Sequence, residues 1–403
     1  MSRPDVTLDS PQNEPIAPAV SEIMTTSTAP STVFDLPDAI RQAIEDCATQ
    51  SDQLADIPVS VHNQLRDAGA FRLLTPREFG GSETPLTTTL SAYEQMANIN
   101  GSVGLLVWNA NFGFIGAMLD PAGAAQIWKN GVEPVFANSG ILGTAVRVDG
   151  GFRVTGEWKI VTGISHADWL VVVAVITADA PDVPEVRIFA IPTGQLDIHN
   201  TWDVTGMRAT GSHDVVGADI FVPTELTASM DIPPLIDRPL YRGFIPALVF
   251  GGCSAVTLGV ASRMIDETVT VVRRKAAMTG GLVAEAGRTQ YLIAKAHASV
   301  GAARLLLHSA AGSLQRSAEH GAAVTIGQRA DYRAAITHVA DVSREVLVNM
   351  YQLAGSASLY RANPVERLFR DGMAASQHAN QSAQFMEAAG RVHLGMDPGL
   401  PLF

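Results

Sequence analysis

Hydrophobic and polar positions follow two different periods along the 403-residue chain. Apolar residues first recur at helical spacing over residues 35–70, with a break near Pro58, and again over 86–98 and 103–119. This spacing predicts four helices, of which the last is almost wholly apolar and therefore buried. Pro121 marks the start of a further short helix, because the first helical turn needs no proline N–H.

The period changes to two at about residue 134. Residues 146–156 alternate on either side of Asp149-Gly150, a dipeptide typical of a tight hairpin turn. Further strand-like runs follow at 169–175, 186–191 and 215–222. We therefore expect an antiparallel β domain over residues 134–233.

Helical spacing returns after Pro234 in four long segments, 248–274, 288–317, 326–353 and 364–389. Their lengths suit a four-helix bundle. The predicted fold class is α+β, with an N-terminal helical domain (34–133), the middle antiparallel β domain (134–233) and a C-terminal four-helix bundle (234–403). Residues 1–33 are rich in Pro, Ser and Thr and lack the apolar segment of a signal peptide, which predicts a disordered tail.

Composition disfavours several classes of function. A formal net charge of -12, with one dense basic cluster at 273–275, disfavours a nucleic-acid partner. Cys47 and Cys253 fit neither a disulfide framework nor a metal-ligand spacing, which indicates a reducing cytoplasm and no bound metal. The longest purely apolar run, 169–176, is far too short to span a bilayer, so we expect no membrane partner.

The most distinctive pattern lies at 355–378. Small residues are followed by Asn363-Pro364 at a helix start, then by Asp371 and His378. At about 3.6 residues per turn, Asp371 and His378 share one helical face. This face is either a packing surface or the wall of a site where the β domain meets the bundle, since ligands commonly bind at such junctions. No Rossmann, phosphate-loop, zincin or α/β-hydrolase motif occurs in the sequence, which disfavours those four classes.

A set of segments, in order from residue 35 to the end, resembles the acyl-CoA dehydrogenase family. The segments are 76–81 (PREFGG), 143–145 (GTA), 150–156 (GGFRVTG), 158–163 (WKIVTG), 167–169 (ADW), Trp202, 206–212 (GMRATGS), 222–223 (VP) and 355–378. In that family a flavin lies between the middle β domain and the C-terminal helices, usually in a homotetramer or a homodimer. The resemblance therefore implies an acyl-CoA dehydrogenase-like fold and a flavin cofactor.

Within that family, the chain resembles the flavin-dependent monooxygenases more than the dehydrogenases. A dehydrogenase needs a carboxylate base, but Ala379 stands at the usual position, and residues 238–265, which hold the alternative position, contain no Asp or Glu. The monooxygenases, which are oxygenase components of two-component aromatic hydroxylases, receive FADH2 or FMNH2 from a separate NAD(P)H-dependent flavin reductase. The resemblance implies that O2 then forms a C4a-hydroperoxyflavin, which hydroxylates a small aromatic or heteroaromatic compound.

The same resemblance implies roles for individual residues. His378 is expected beside the hydroperoxide, and Thr162 is expected to face flavin N5. The residues expected to line the flavin, with the last at its phosphate, are Trp158, Thr162, Gly163, Gly355, Ser356, Ser358 and Arg274. Each has a plainer alternative: a structural histidine, a strand threonine, a core tryptophan, small residues for close helix contact, or a solvated arginine. Asp371 is expected to orient a neighbour or to pair with Arg370.

The helix before the β domain bears on the substrate. Phenol hydroxylases of this type often carry histidines there that help to ionise the phenol, but residues 108–116 contain none. An indole-type ring is electron-rich without ionisation and fits better, with Asn109 and Asn111 as hydrogen-bonding partners, although asparagines often simply mark a helix kink. Two other functions stay open: an acyl-CoA dehydrogenase or oxidase with an unrecognised base, and a non-catalytic scaffold.

Overall fold

Prolines and an asparagine define where the first helices begin. The computed structural model describes residues 34–177, 185–278, 280–400 and 403. Pro37, Pro58 and Pro85 directly precede the first three helices, and the Asn100 side chain accepts two backbone amides at the start of the fourth. The N-terminal helices are α1 (Asp38–Leu54), α2 (Val59–Asp67), α3 (Leu86–Ile99), α4 (Gly101–Ala110) and α5 (Pro121–Ile127).

The N-terminal helix predictions are largely confirmed. Helices over 35–70 and 86–98 are present, and α5 begins at Pro121. The helix predicted over 103–119 is shorter, because α4 ends at Ala110 and a separate 3-10 turn follows at Gly113–Ala117. The predicted disordered tail, residues 1–33, lies outside the described residues.

The middle region forms one mixed seven-stranded sheet with the strand order β5-β6-β2-β1-β3-β4-β7. Its strands are β1 (Phe136–Val148), β2 (Gly151–Val161), β3 (Trp169–Ile176), β4 (Val186–Pro192), β5 (Asp197–His199), β6 (His213–Pro223) and β7 (Thr227–Ser229). The hairpin predicted at Asp149-Gly150 joins β1 and β2, and Gly150 adopts φ +75° in its turn. The expectation of a purely antiparallel sheet is wrong, because β1 pairs with β3 in parallel.

The C-terminal region is helical, as predicted. Its helices are α6 (Pro239–Arg242), α7 (Pro246–Phe250), α8 (Gly252–Val272), α9 (Gly287–Glu319), α10 (Ile326–Ala354), α11 (Pro364–Ala375) and α12 (Ala383–His393). The segment Pro246–Val272 is long and apolar enough to span a bilayer, but 78% of its most apolar window is buried inside the protein. Helix α8 packs closely on α3, and Gly259 permits this approach, because a Cβ at this position would overlap the Glu94 carbonyl.

The segment 364–389, predicted as one helix, is two helices joined by a turn. His378 lies after the end of α11 with an extended backbone (φ -59°, ψ 135°), and its Nδ1 accepts the amide N–H of Asn380. The Ser382 side chain then caps α12. Such local bonds between side chains and backbone compete with a continuous helix. The prediction that Asp371 and His378 share one helical face is therefore wrong.

Candidate active site

Helix α4 brings several of the predicted site residues together. A Cβ on Gly163, in the turn after β2, would stand 3.6 Å from the side chain of Leu106. Trp108, two residues further along α4, meets the His378 ring edge-on, with ring centroids 4.9 Å apart. At the start of α4, Gly101 leaves room for the side chain of Met207. The sheet, the loop before β6 and the α11–α12 turn therefore all meet on this helix.

His378 presents a single hydrogen-bond donor. Its Nδ1 accepts the Asn380 amide N–H at 3.2 Å, and a nitrogen that accepts carries no proton itself. Desolvation lowers the pKa of His378 from 6.5 to about 4, so the ring is neutral at pH 7. The proton of the neutral ring therefore sits on Nε2, which donates to none of the described residues. The next residue, Ala379, is exposed and supplies no carboxylate.

Thr162, directly after β2, is the first member of a chain of buried hydroxyl groups. Its Oγ1 lies 3.0 Å from Ser212 Oγ, which lies 2.7 Å from Thr210 Oγ1. Thr210 in turn donates to the carbonyl oxygen of Met207 at 2.8 Å. The sequence did not identify Ser212 and Thr210 as site residues, because the only signal for them is a pair of hydroxyl residues in the segment 206–212. We define these four residues as the hydroxyl relay.

The far end of the hydroxyl relay is held by Asp371 on α11. The Met207 amide N–H donates to Asp371 Oδ1 at 2.6 Å, so Asp371 orients this loop rather than pairing with its neighbour Arg370. Met207 adopts φ +54°, which is uncommon for a residue with a side chain. Burial raises the pKa of Asp371 from 3.8 to about 6, and the bond from the Met207 amide acts in the opposite direction.

Arg370 fastens the same loop to two further elements. Its guanidinium donates to the Thr205 carbonyl at 2.5 Å, to both carboxylate oxygens of Asp52 at 3.2 Å, and to Glu366 at 2.7 and 3.0 Å. A Cβ on Gly206 would overlap the Arg370 carbonyl, so glycine is required for this close approach. The position of the loop is thus set jointly by α1 and α11.

Trp158 is fully buried inside the sheet. Added Cβ atoms on three glycines of neighbouring strand positions would all contact its indole ring; these are Gly143, Gly156 and Gly217. Its Nε1 has no hydrogen-bond partner among the described residues. This packing favours the core alternative for Trp158. Two residues later, Ile160 combines φ +57° with a side chain that is 63% exposed. This conformation lies where the register of β2 against β6 shifts between Trp158 and Val161, and the Ile160 amide N–H donates to Asp214 Oδ1 at 3.1 Å there.

A second group of predicted residues lies where α10 ends. Gly355 ends the helix with φ +59°, and Lys275 Nζ donates to the last carbonyl of α10 at 2.8 Å, where the helix dipole favours a cation. Ser358 is buried and donates to the Gly355 carbonyl at 2.7 Å, whereas Ser356 is exposed. Arg274 is exposed and forms no ion pair within the described part of the chain.

The two predicted substrate contacts differ in how fully they are bonded. Asn111 donates to the carbonyls of Ala70 and Val107 and accepts the amide N–H of Leu73, which favours the structural alternative for this residue. Asn109 donates one N–H to the carbonyl four residues earlier, and its Oδ1 accepts from the side chain of Asn138. One amide hydrogen of Asn109 is therefore left for a ligand.

The described residues fit a flavin. Its ring nitrogens and carbonyls need donors and acceptors, and its phosphate needs a cation. His378 has a free N–H, the hydroxyl relay ends at Thr162, and Arg274 is an exposed guanidinium. Helix α11 connects these places, because it packs both on α4 and on the turn Gly355–Leu359. No group of His, Cys, Asp and Glu able to hold a metal ion occurs in the ranges that the structure describes.

Two domain models of one protein family match this chain. Residues 36–133 match the acyl-CoA dehydrogenase N-terminal domain, and residues 252–383 match the acyl-CoA dehydrogenase C-terminal domain. Among individual proteins, indole-3-acetate monooxygenase from Acinetobacter baumannii is 30% identical over 371 residues, which cover 90% of this chain and 94% of that protein. The enzyme of the same name from Pseudomonas putida is 31% identical over 358 residues, covering 86% and 90%.

A solved structure has the same fold. XiaF from a Streptomyces species, in complex with FADH2 and glycerol, superposes with a TM-score of 0.86 at 24% sequence identity. The match covers 92% of this chain and 96% of XiaF. The helical, sheet and helical regions described above are therefore arranged as in a known protein.

Proposed function

This chain belongs to the acyl-CoA dehydrogenase family, in its flavin-dependent monooxygenase branch, and we propose that it hydroxylates a small, electron-rich aromatic or heteroaromatic substrate beside α4. It is an oxidoreductase that uses reduced flavin. A bound reduced flavin supplies the electrons that activate O2. We further propose that a separate NAD(P)H-dependent reductase delivers the flavin, and that the protein works as a homo-oligomer in the cytoplasm, where Cys47 and Cys253 stay free thiols.

The observation that carries the proposal is the state of His378. The one unprotonated nitrogen of the neutral His378 ring, Nδ1, already accepts the Asn380 amide N–H, so the ring offers the site an Nε2–H donor and no free lone pair to act as a base. Trp108 packs on the same ring and helps to keep water away from the donor. In this arrangement His378 would hold a proton at Nε2 for an oxygen atom bound next to it. Asp371 is buried and holds the Met207 amide, so it positions the loop and is not presented to a substrate as a base.

The substrate class follows from α4 and from the relatives. No histidine stands on α4 or in the following turn to assist ionisation of a phenol, whereas an indole needs none. Asn109 offers one free amide hydrogen for a polar substituent. Both relatives reported above are named for indole-3-acetate, which is a heteroaromatic acid. We propose an indole-type compound as the first substrate to examine.

The test is a coupled oxidation assay. Purified protein receives chemically reduced FMN or FAD, O2 and either indole, indole-3-acetate, phenol or no aromatic compound, and hydroxylated product and hydrogen peroxide are both measured. We expect product from an indole-type compound, with less hydrogen peroxide than in the aromatic-free reaction. Hydrogen peroxide without any product from all three compounds would contradict the proposal. Bleaching of bound oxidised flavin by an acyl-CoA would favour a dehydrogenase, and a folded protein that binds no flavin would favour a scaffold.

A further inference from the structure

The hydroxyl relay has only one possible direction of donation. A backbone carbonyl carries no proton, so in the contact between Thr210 Oγ1 and the Met207 oxygen the hydrogen must come from Thr210. Each hydroxyl owns a single hydrogen, so Thr210 can only accept from Ser212 at 2.7 Å. Because Ser212 donates its single hydrogen to Thr210, it can only accept from Thr162 at 3.0 Å. The hydrogen of Thr162 therefore points into the protein, and its outward side offers lone pairs.

The carbonyl that sets this direction is itself held in place. Met207 keeps its left-handed backbone because its amide N–H donates to buried Asp371, and its carbonyl also accepts from Trp202 Nε1 at 3.3 Å. A conformation of this kind persists only where the surrounding structure determines it. The donation order from Met207 to Thr162 is thus a property of the folded loop and not of a freely rotating hydroxyl group.

The two redox states of a flavin differ at the atom that Thr162 is expected to face. Reduced flavin carries a hydrogen on N5 and donates there, whereas N5 of oxidised flavin has only a lone pair and accepts. We propose that Ser212 and Thr210 are positioning residues that hold the Thr162 hydroxyl as an acceptor, so that the site binds reduced flavin in preference to oxidised flavin. This inference rests on the proposed function, because it takes the flavin site as given.

Anaerobic binding titrations test the inference without any turnover. The dissociation constants of reduced and oxidised FMN or FAD are measured for the wild type, Ser212→Ala and Thr210→Val, and their ratio is compared. Ser212→Ala removes the acceptor of the Thr162 hydrogen, which is then free to donate to oxidised N5. We expect the preference for reduced flavin to fall by about tenfold, which corresponds to one neutral hydrogen bond.

Thr210→Val is the sharper variant, because it leaves the contact between Ser212 and Thr162 in place. In this variant the Ser212 hydroxyl has lost Thr210 as its acceptor, so Ser212 can donate to Thr162 instead. The Thr162 hydroxyl can then donate to the flavin, and the preference for reduced over oxidised flavin should fall here too. Thr162→Val removes the responding hydroxyl, and in that background neither substitution should change the ratio further. Ser254→Ala is the matched control, since Ser254 is also buried and donates to a carbonyl, that of Ile336 at 3.1 Å.

The outcomes separate the inference from the function on which it rests. A wild type that binds neither flavin state would overturn the proposed function. A wild type that prefers reduced flavin, with an unchanged ratio in folded Ser212→Ala and Thr210→Val, would overturn the hydroxyl relay alone. A loss of preference in Ser254→Ala as large as in the relay variants would also overturn it, because the effect would then come from any buried hydroxyl.

Discussion

We predict that Asp371 makes the free energy of unfolding decrease as pH rises. Its folded-state pKa of about 6 exceeds the ordinary value of 3.8, so the folded protein holds this proton more tightly than the unfolded chain does. Stability from this group is therefore present at low pH and is lost as pH rises. The shift corresponds to about 3 kcal/mol in all, of which roughly 1.4 kcal/mol falls between pH 5 and pH 8.

The variant Asp371→Asn removes the charge but keeps an oxygen that can accept from Met207. Any cost of fitting the amide is the same at both pH values, so the informative quantity is the change in the stability difference between variant and wild type. We expect the variant to gain about 1.4 kcal/mol relative to the wild type between pH 5 and pH 8.

Urea denaturation at pH 5 and pH 8, at one fixed protein concentration, measures this quantity directly. Titration of His378 and His62, whose folded pKa values are both lowered to about 4, affects variant and wild type alike and cancels in the comparison. Asp197→Asn, at an exposed strand position, is the control and should show no such change. Equal stability differences at the two pH values, or a gain toward pH 5, would refute the account of Asp371.

Three further predictions concern the site. His378→Ala should raise the amount of hydrogen peroxide released per product formed by about tenfold, which corresponds to one lost hydrogen bond. His378→Gln keeps a hydrogen-bond donor and should recover part of the coupling. Equal coupling in the wild type and both variants would exclude His378 from the reaction. Arg274→Ala should weaken reduced FMN binding but not binding of lumiflavin, which lacks the phosphate, and an equal loss for both would contradict phosphate recognition. Trp158→Ala should lower the free energy of unfolding, measured by urea denaturation, by about 3–5 kcal/mol and leave the flavin affinity of the folded protein unchanged. Unchanged stability together with weaker flavin binding would show that Trp158 contacts the cofactor.

Local patterns determined most of the elements. Period-two alternation and the turn at Asp149-Gly150 predicted the β1–β2 hairpin, because side chains on a strand alternate between faces whatever lies around them. Apolar spacing near 3.6 likewise predicted α1, α2, α3 and the long C-terminal helices. The ordered motifs added the family, and the missing carboxylate at Ala379 separated its two chemistries.

Tertiary structure determined the features for which local sequence signals conflict or are absent. The seven-residue spacing of Asp371 and His378 matches two helical turns, yet the bond from Asn380 to the His378 ring and the cap at Ser382 end that helix. The parallel pairing of β1 with β3 is likewise invisible in alternation, because both pairing directions have the same period.

The hydroxyl relay shows the limit most clearly. Thr162 and Ser212 are 50 residues apart in the chain, and Met207 and Asp371 are 164 apart, so no local pattern links them. Sequence determined that Thr162 carries a hydroxyl at this place. Only the fold decided which way that hydroxyl donates, because the direction is set by a carbonyl group three contacts away that a distant helix holds in position.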